Sequence, residues 1–209
     1  MKIKYNIIPK ENVTFVKDTY TIREALAELE ESGFRCIPIL DKTGKYFKGN
    51  IYVQDIYKAI VNKAKSWDDS VLDLKDDENV FINERASFFR IFSNIKKYPY
   101  LAVLQDDDTF AGILTHANVM TILEDSWGVK TGSYTLTIST HEYQGALNTI
   151  VSSIKKITSI QSLLTLDNES KFFRRVIITL PSETTKENLD KVISTLEGEG
   201  FRVFDVEKI

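Results

Sequence analysis

Apolar residues in this chain recur in two rhythms, and each change of rhythm marks a new element. In YTIREALAELEESG (20–33), Ile22, Ala25, Leu26 and Leu29 keep the i, i+3, i+4, i+7 spacing that lines one side of a helix. Gly33 offers the left-handed conformation that closes such a helix. RCIPIL (35–40) is an unbroken apolar run of strand length, DKTGKY a loop with a glycine turn, and FKGNIY (47–52) the return strand. QDIYKAIVNKAK (54–65) predicts a second helix. With ENVTFV (11–16) in front, the order is β-α-β-β-α.

The pattern then repeats. ENVFI starts at Glu78 as ENVTF starts at Glu11, and ASFFRIFSNIKK supplies a helix with Phe88, Phe89, Phe92 and Ile95 as its apolar face. YLAVL and FAGILT form a hairpin around QDDD, and NVMTILED completes the set. Two glycine-centred segments, FKGNIYVQDI (47–56) and FAGILTHANVM (110–120), place Gly49 and Gly112 63 residues apart. WDDSVLDLKDD, between the repeats, is similar to YNIIPKENV at the start. A third unit differs: GSYTLTIST, a helix with Leu147, Ile150, Val151 and Ile154 on one face, SIQSLLTLD, FFRRVIITLP, a helix with Leu189, Val192, Ile193 and Leu196, and FRVFDVEKI. That order is β-α-β-β-α-β, the split ferredoxin-like arrangement. The predicted divisions are 1–66 and 67–125 for the repeats, 126–131 for a linker and 132–209 for the third unit.

GFRCIPILD (33–41) and the two glycine segments resemble the motifs of CBS domains, so the first 125 residues resemble a tandem CBS pair, a Bateman module. Residues 132–209 resemble an ACT domain. The order CBS-CBS-ACT is similar to acetoin-utilisation-type regulators, and the CBS part also looks like Firmicute proteins that bind cyclic di-AMP. The family pattern at the glycine is Gly, two apolar residues, Thr or Ser, two free positions, Asp. The second repeat keeps Thr115 and has Asn118 for Asp; the first has Tyr52 for Thr and keeps Asp55. In HEYQGALNTI, Glu142 stands near the acid of the ACT motif, Gln144 replaces its proline, and Gly145 is kept; Glu142 and Gly145 are the expected ACT ligand residues.

The resemblance implies a non-catalytic regulator with no cofactor, in which an adenine nucleotide is the ligand. Cyclic di-AMP is favoured, with AMP or ATP as alternatives. It also implies a homodimer through IYKAIVNKA and VMTILEDSW, side-by-side pairing of ACT sheets, and an unidentified protein target. Expected ligand residues are Phe34, Arg35, Cys36, Ile37, Asp55, Tyr98, Tyr100, Thr115, His116 and Asn118. Physically, a helix N-terminus presents free N–H groups to a phosphate, and Thr115 adds a hydroxyl. Asp55 accepts from ribose hydroxyls as the acid does in dinucleotide folds. Adenine lies against residues 35–37 and 98–100, where aromatic and guanidinium planes stack. Plain structural readings stand beside these. Thr115 and Asn118 cap the following helix. Asp55 is a first-turn carboxylate favoured by the helix dipole. One of Tyr98 and Tyr100 packs inward because strand residues alternate. Arg35 is a solvated edge or a ligand contact, and Tyr52 leaves its half-site degenerate or reshaped for stacking.

Composition narrows the classes. The 209 residues are 43% apolar and 27% charged, with a net charge of −3 that offers no long-range attraction for nucleic acid. No apolar run reaches the ~20 residues of a membrane span. The single cysteine has no partner for an intramolecular disulfide, and a cytoplasmic location is expected. His116, His141 and Cys36 lack metal-ligand spacing, and neither a nucleophile elbow nor a Gly-x-x-x-x-Gly-Lys loop occurs. KFFRR (171–175) reads as a strand edge or dimer contact. A ligand-free interaction module and an amino-acid-sensing ACT regulator are the alternative readings.

Overall fold

The computed structural model describes residues 5–140, 144–166 and 174–209, without the side chains of residues 88–90, 93 and 174. His141, Glu142, residues 171–173 of KFFRR, and the Phe88 and Phe89 side chains lie outside that set. The chain divides into two compact units, Met1–Met120 and Thr121–Ile209.

In the first unit, the lead-in strand β1 (Ile8–Pro9) precedes β2 (Val16–Lys17), α1 (Ile22–Ser32), β3 (Cys36–Leu40), β4 (Phe47–Tyr52) and α2 (Val53–Val61). The second repeat gives β5 (Phe81–Asn83), α3 (Phe88–Ile95), β6 (Tyr100–Leu104), β7 (Phe110–Thr115) and α4 (His116–Trp127). α1 starts at a capping box: Glu24 N–H donates to Thr21 Oγ1 (3.3 Å) and Thr21 N–H to Glu24 Oε2 (2.7 Å). It ends at Gly33, with φ at 71°. Ile22, Ala25, Leu26 and Leu29 are buried against Ile37, Ile39 and Ile51, so this helix packs with the face its periodicity predicts. α4 continues to Trp127, so the predicted linker 126–131 begins within the helix and goes on as a turn.

Both repeats run a parallel strand, a central strand and an antiparallel return strand, β2-β3-β4 and β5-β6-β7. The lead-ins are exchanged. β1 precedes the first repeat yet pairs with β7 of the second, Ile8 opposite Ile113. In return, Asp76 of the second lead-in bridges Asn50 of β4, with N···O distances of 2.7 and 3.0 Å. The motif glycines stand at these crossings. A Cβ on Gly49 would lie 2.8 Å from the Asp76 carbonyl oxygen, and one on Gly112 would lie 2.1 Å from that of Ile8. Their φ values, 134° and 151°, also disfavour a side chain. Equivalent residues meet on the pseudo-dyad: Phe47 stacks on Phe110 at 6.2 Å, and Tyr46 bridges Thr109. Val13, Leu40, Ala102, Leu104 and Phe110 form the apolar core there.

The second unit comprises β8 (Gly132–Thr140), α5 (Ala146–Lys155), β9 (Ser162–Leu166), β10 (Arg174–Pro181), α6 (Lys186–Gly198) and β11 (Arg202–Lys208). Its sheet is antiparallel in the order β11-β8-β10-β9, a ferredoxin-like topology. The α5 face departs from expectation. Ala146, Ile150, Ser153 and Ile154 are buried, while Leu147 is 40% exposed. The helix begins directly after Gly145, at φ 100°, which sets small Ala146 inward. Ser153 tolerates burial because its hydroxyl donates to Glu199 Oε2 at 2.5 Å.

Candidate functional site

A crevice of about 380 Å3 opens in the first unit. That is within the range of small-molecule pockets, about 300–1,000 Å3 and mostly apolar. One wall is Gly33–Pro38, leading from α1 into β3; the other includes Pro99, Tyr100, Ile113 and Thr115 of the second repeat. The lead-in residues Ile8, Asn12, Val13 and Thr14 complete it. β2 pairs with β3 only at Ile39 and Leu40, so among the described residues the edge of Cys36–Pro38 turned away from β4 has no strand beside it. A backbone edge left this way holds donors and acceptors that a planar polar ligand satisfies.

The crevice gathers Phe34, Arg35, Cys36, Ile37, Tyr100 and Thr115 from the expected set. Phe34 is 55% exposed and Arg35 is exposed, and Arg35 makes no ion pair among the described residues. Thr115 ends β7 and caps α4 together with Asn118. The Thr115 hydroxyl donates to Asn118 Oδ1 at 2.7 Å, the Thr115 N–H donates to the same oxygen at 3.0 Å, and Asn118 N–H donates back to Thr115 Oγ1 at 3.3 Å. Thr115 lines the crevice, and its one hydroxyl proton is engaged with Asn118 Oδ1, so donation to a phosphate oxygen there requires that proton to turn away from Asn118.

Other expected residues lie elsewhere. Asp55 is half-buried on the first turn of α2 and lines a separate shallow groove of about 340 Å3 with Lys58, Asn62, Lys75 and Asp76. The pseudo-dyad explains this. The hydroxyl position and the acid position of a motif belong to the same repeat, so Asp55 follows Tyr52 on α2 and Asn118 follows Thr115 on α4. His116 is exposed, its Nδ1 3.2 Å from the Pro99 carbonyl oxygen, and Tyr98 is half-buried; neither lines the crevice. Tyr100 packs inward, with its hydroxyl donating to Asn50 Oδ1 at 2.6 Å and accepting from the Cys36 thiol at 3.8 Å. Burial pushes the Cys36 thiol up to about 12 and raises both the Tyr100 and Tyr52 phenols. Asn12, Val13, Thr14, Pro99 and Ile113 were not in the expected set. The repetition of ENVTF as ENVFI was the signal for the lead-in members, since a segment used twice beside a shared cleft lines it.

Residues 5–62 match the CBS domain family. No functionally curated protein matches the sequence. Among solved structures, CbpB of Listeria monocytogenes in complex with c-di-AMP shares 25% identity at a TM-score of 0.53, over 58% of this chain and 94% of that one. A CBS domain pair/ACT domain protein of Thermotoga maritima gives 19% identity and a TM-score of 0.50, over 59% and 96%. CBSX2 in complex with AMP gives 21% and 0.50, over 58% and 95%. The last two speak for the fold alone. The architecture is that of a CBS pair with an additional unit.

Proposed function

We propose that the chain is a regulatory ligand sensor whose CBS pair binds an adenine nucleotide in the 380 Å3 crevice. The observation that carries this reading is the free β3 edge at Cys36–Pro38, lining the same crevice as Thr115 at the N-terminus of α4. The edge receives the base, the N–H groups of the helix N-terminus receive a phosphate, to which the Thr115 hydroxyl turns its proton from Asn118 Oδ1, and Arg35 pairs with its charge. Cyclic di-AMP is the favoured ligand, supported by the likeness to a CbpB in complex with it; AMP and ATP are the alternatives. In this reading the protein is non-catalytic and cytoplasmic, the ferredoxin-like unit serves as an ACT-type pairing or transmitting module, and the output is modulation of a protein target. A ligand exerts such control only by binding two arrangements with different affinity. No described helix is long and apolar enough to cross a membrane. Calorimetry with cyclic di-AMP, AMP, ATP and S-adenosylmethionine tests the reading. Saturable heat with an adenine nucleotide is expected, and flat titrations with all four overturn it.

A further inference from the structure

We propose that the two pseudo-symmetric crevices are used unequally: the open one takes a single adenine nucleotide per chain, and the Tyr52 side chain occupies the other. The inference rests on the nucleotide reading of the open crevice and adds its stoichiometry and the residue that sets it. By strand register, Tyr100 lies opposite Thr115 in one repeat and Cys36 opposite Tyr52 in the other, so Tyr52 holds the place of Thr115. Thr115 is a short side chain across the open crevice from Asn12–Thr14 of the first lead-in. Tyr52 instead reaches the second lead-in, where its hydroxyl donates to Asp77 Oδ2.

The rest of the second crevice is also committed internally. Tyr100, the residue corresponding to Cys36, donates to Asn50, which is itself 2% exposed and bonded through its backbone to Asp76. In this proposal the Tyr52 phenol, which stands at the start of α2 without capping it, takes the place where a phosphate would meet the helix N-terminus. Asp55 sits three residues on, as Asn118 does after Thr115. Tyr52→Thr thus frees the ring volume and installs a capping Thr with an acid at the third helical position.

Equilibrium dialysis of the full chain against AMP is expected to saturate at one nucleotide per chain for the native sequence and for Tyr52→Phe, which keeps the ring. Tyr52→Thr is expected to saturate at two. Two per native chain, or one per Tyr52→Thr chain, overturns the proposal. If no nucleotide binds at all, the reading of the open crevice falls, and closure of the second is judged without ligand by urea denaturation. Tyr52→Ala is expected to lower the unfolding midpoint clearly more than Tyr52→Phe, because it removes a ring that fills the space. Equal midpoints for Tyr52→Ala and Tyr52→Phe overturn closure by Tyr52.

Discussion

Arg35 is an exposed cation on the crevice wall with no ion-pair partner among the described residues, so its removal separates binding from folding. Arg35→Ala is expected to weaken AMP binding about tenfold, roughly 1.4 kcal/mol, while shifting stability by no more than about 0.5 kcal/mol. Isothermal titration and a urea curve on the same preparation check both halves; unchanged affinity makes Arg35 a solvated edge. Its neighbour Cys36 behaves oppositely, contributing through burial. The folded thiol is raised from an ordinary value near 9 to about 12. Between those values the unfolded chain has lost the proton and the folded chain has kept it, so stability falls as pH rises through that window and is unaffected by this group below it. Cys36→Ala is expected to flatten the fall between pH 9 and 12, with the raised phenols of Tyr52 and Tyr100 supplying the slope that remains. Unfolding midpoints across alkaline pH measure this, and an unchanged slope contradicts it. The neighbours of these residues were harder to foresee. Asp55 and Thr115 were both expected ligand residues, but they belong to different repeats, and the fold sets Thr115 in the crevice and Asp55 in a separate groove.

The elements inherit two devices from the sequence, side-chain caps at Thr21, Thr115 and Thr185 and a glycine at each crossing. Thr115→Ala removes the reciprocal bonds with Asn118 and is expected to cost about 1 kcal/mol without nucleotide, in the range of other N-caps, and more with it, since the weaker-binding variant is stabilised less by ligand. Thr115→Ser is expected to restore both stability and affinity, because it keeps the capping hydroxyl at a residue that lines the crevice. The glycines should rank by their clearances. A methyl on Gly112 meets the Ile8 carbonyl oxygen at 2.1 Å, whereas one on Gly49 meets that of Asp76 at 2.8 Å. Both obstacles are backbone and neither swings away. Gly112→Ala is therefore expected to destabilise by about 2–4 kcal/mol and more than Gly49→Ala, by urea denaturation. Because Ile8 lines the crevice, Gly112→Ala should also lower affinity. At this scale the sequence was read well where a face is plainly periodic, as in α1. It was misread in α5, where a small residue and a hydrogen-bonded serine are inside and Leu147 is outside. Apolarity alone does not reveal that Glu199 waits to accept from Ser153.

For the whole molecule, a spacing of 63 residues between two glycines was enough to anticipate one fold used twice. It was not enough to say that the lead-ins are exchanged or which crevice is open. The first depends on β1 pairing with a strand more than a hundred residues away, and the second on Tyr52 reaching Asp77. Neither contact leaves a local trace in the chain. Assembly poses a similar question, and exposed apolar side chains carry the answer. On α2, Tyr57 is 44% and Val61 77% exposed, and on α4 Met120 is 51% exposed. Single exposed apolar residues are ordinary, yet these three fall on the two helices through which a CBS pair of the proposed kind would meet a copy of itself. A two-fold interface presents the same patch from both sides, so one charge introduced there is felt twice. Light scattering at micromolar concentration is expected to return twice 23.9 kDa for the native chain, and a single-chain mass for Val61→Glu combined with Met120→Glu. Val61 and Met120 lie outside the crevice lining, so the double variant should still bind one AMP per chain if binding is local. Loss of binding together with the dimer would mean that the second copy shapes the crevice, and a single-chain mass for the native protein would remove the interface.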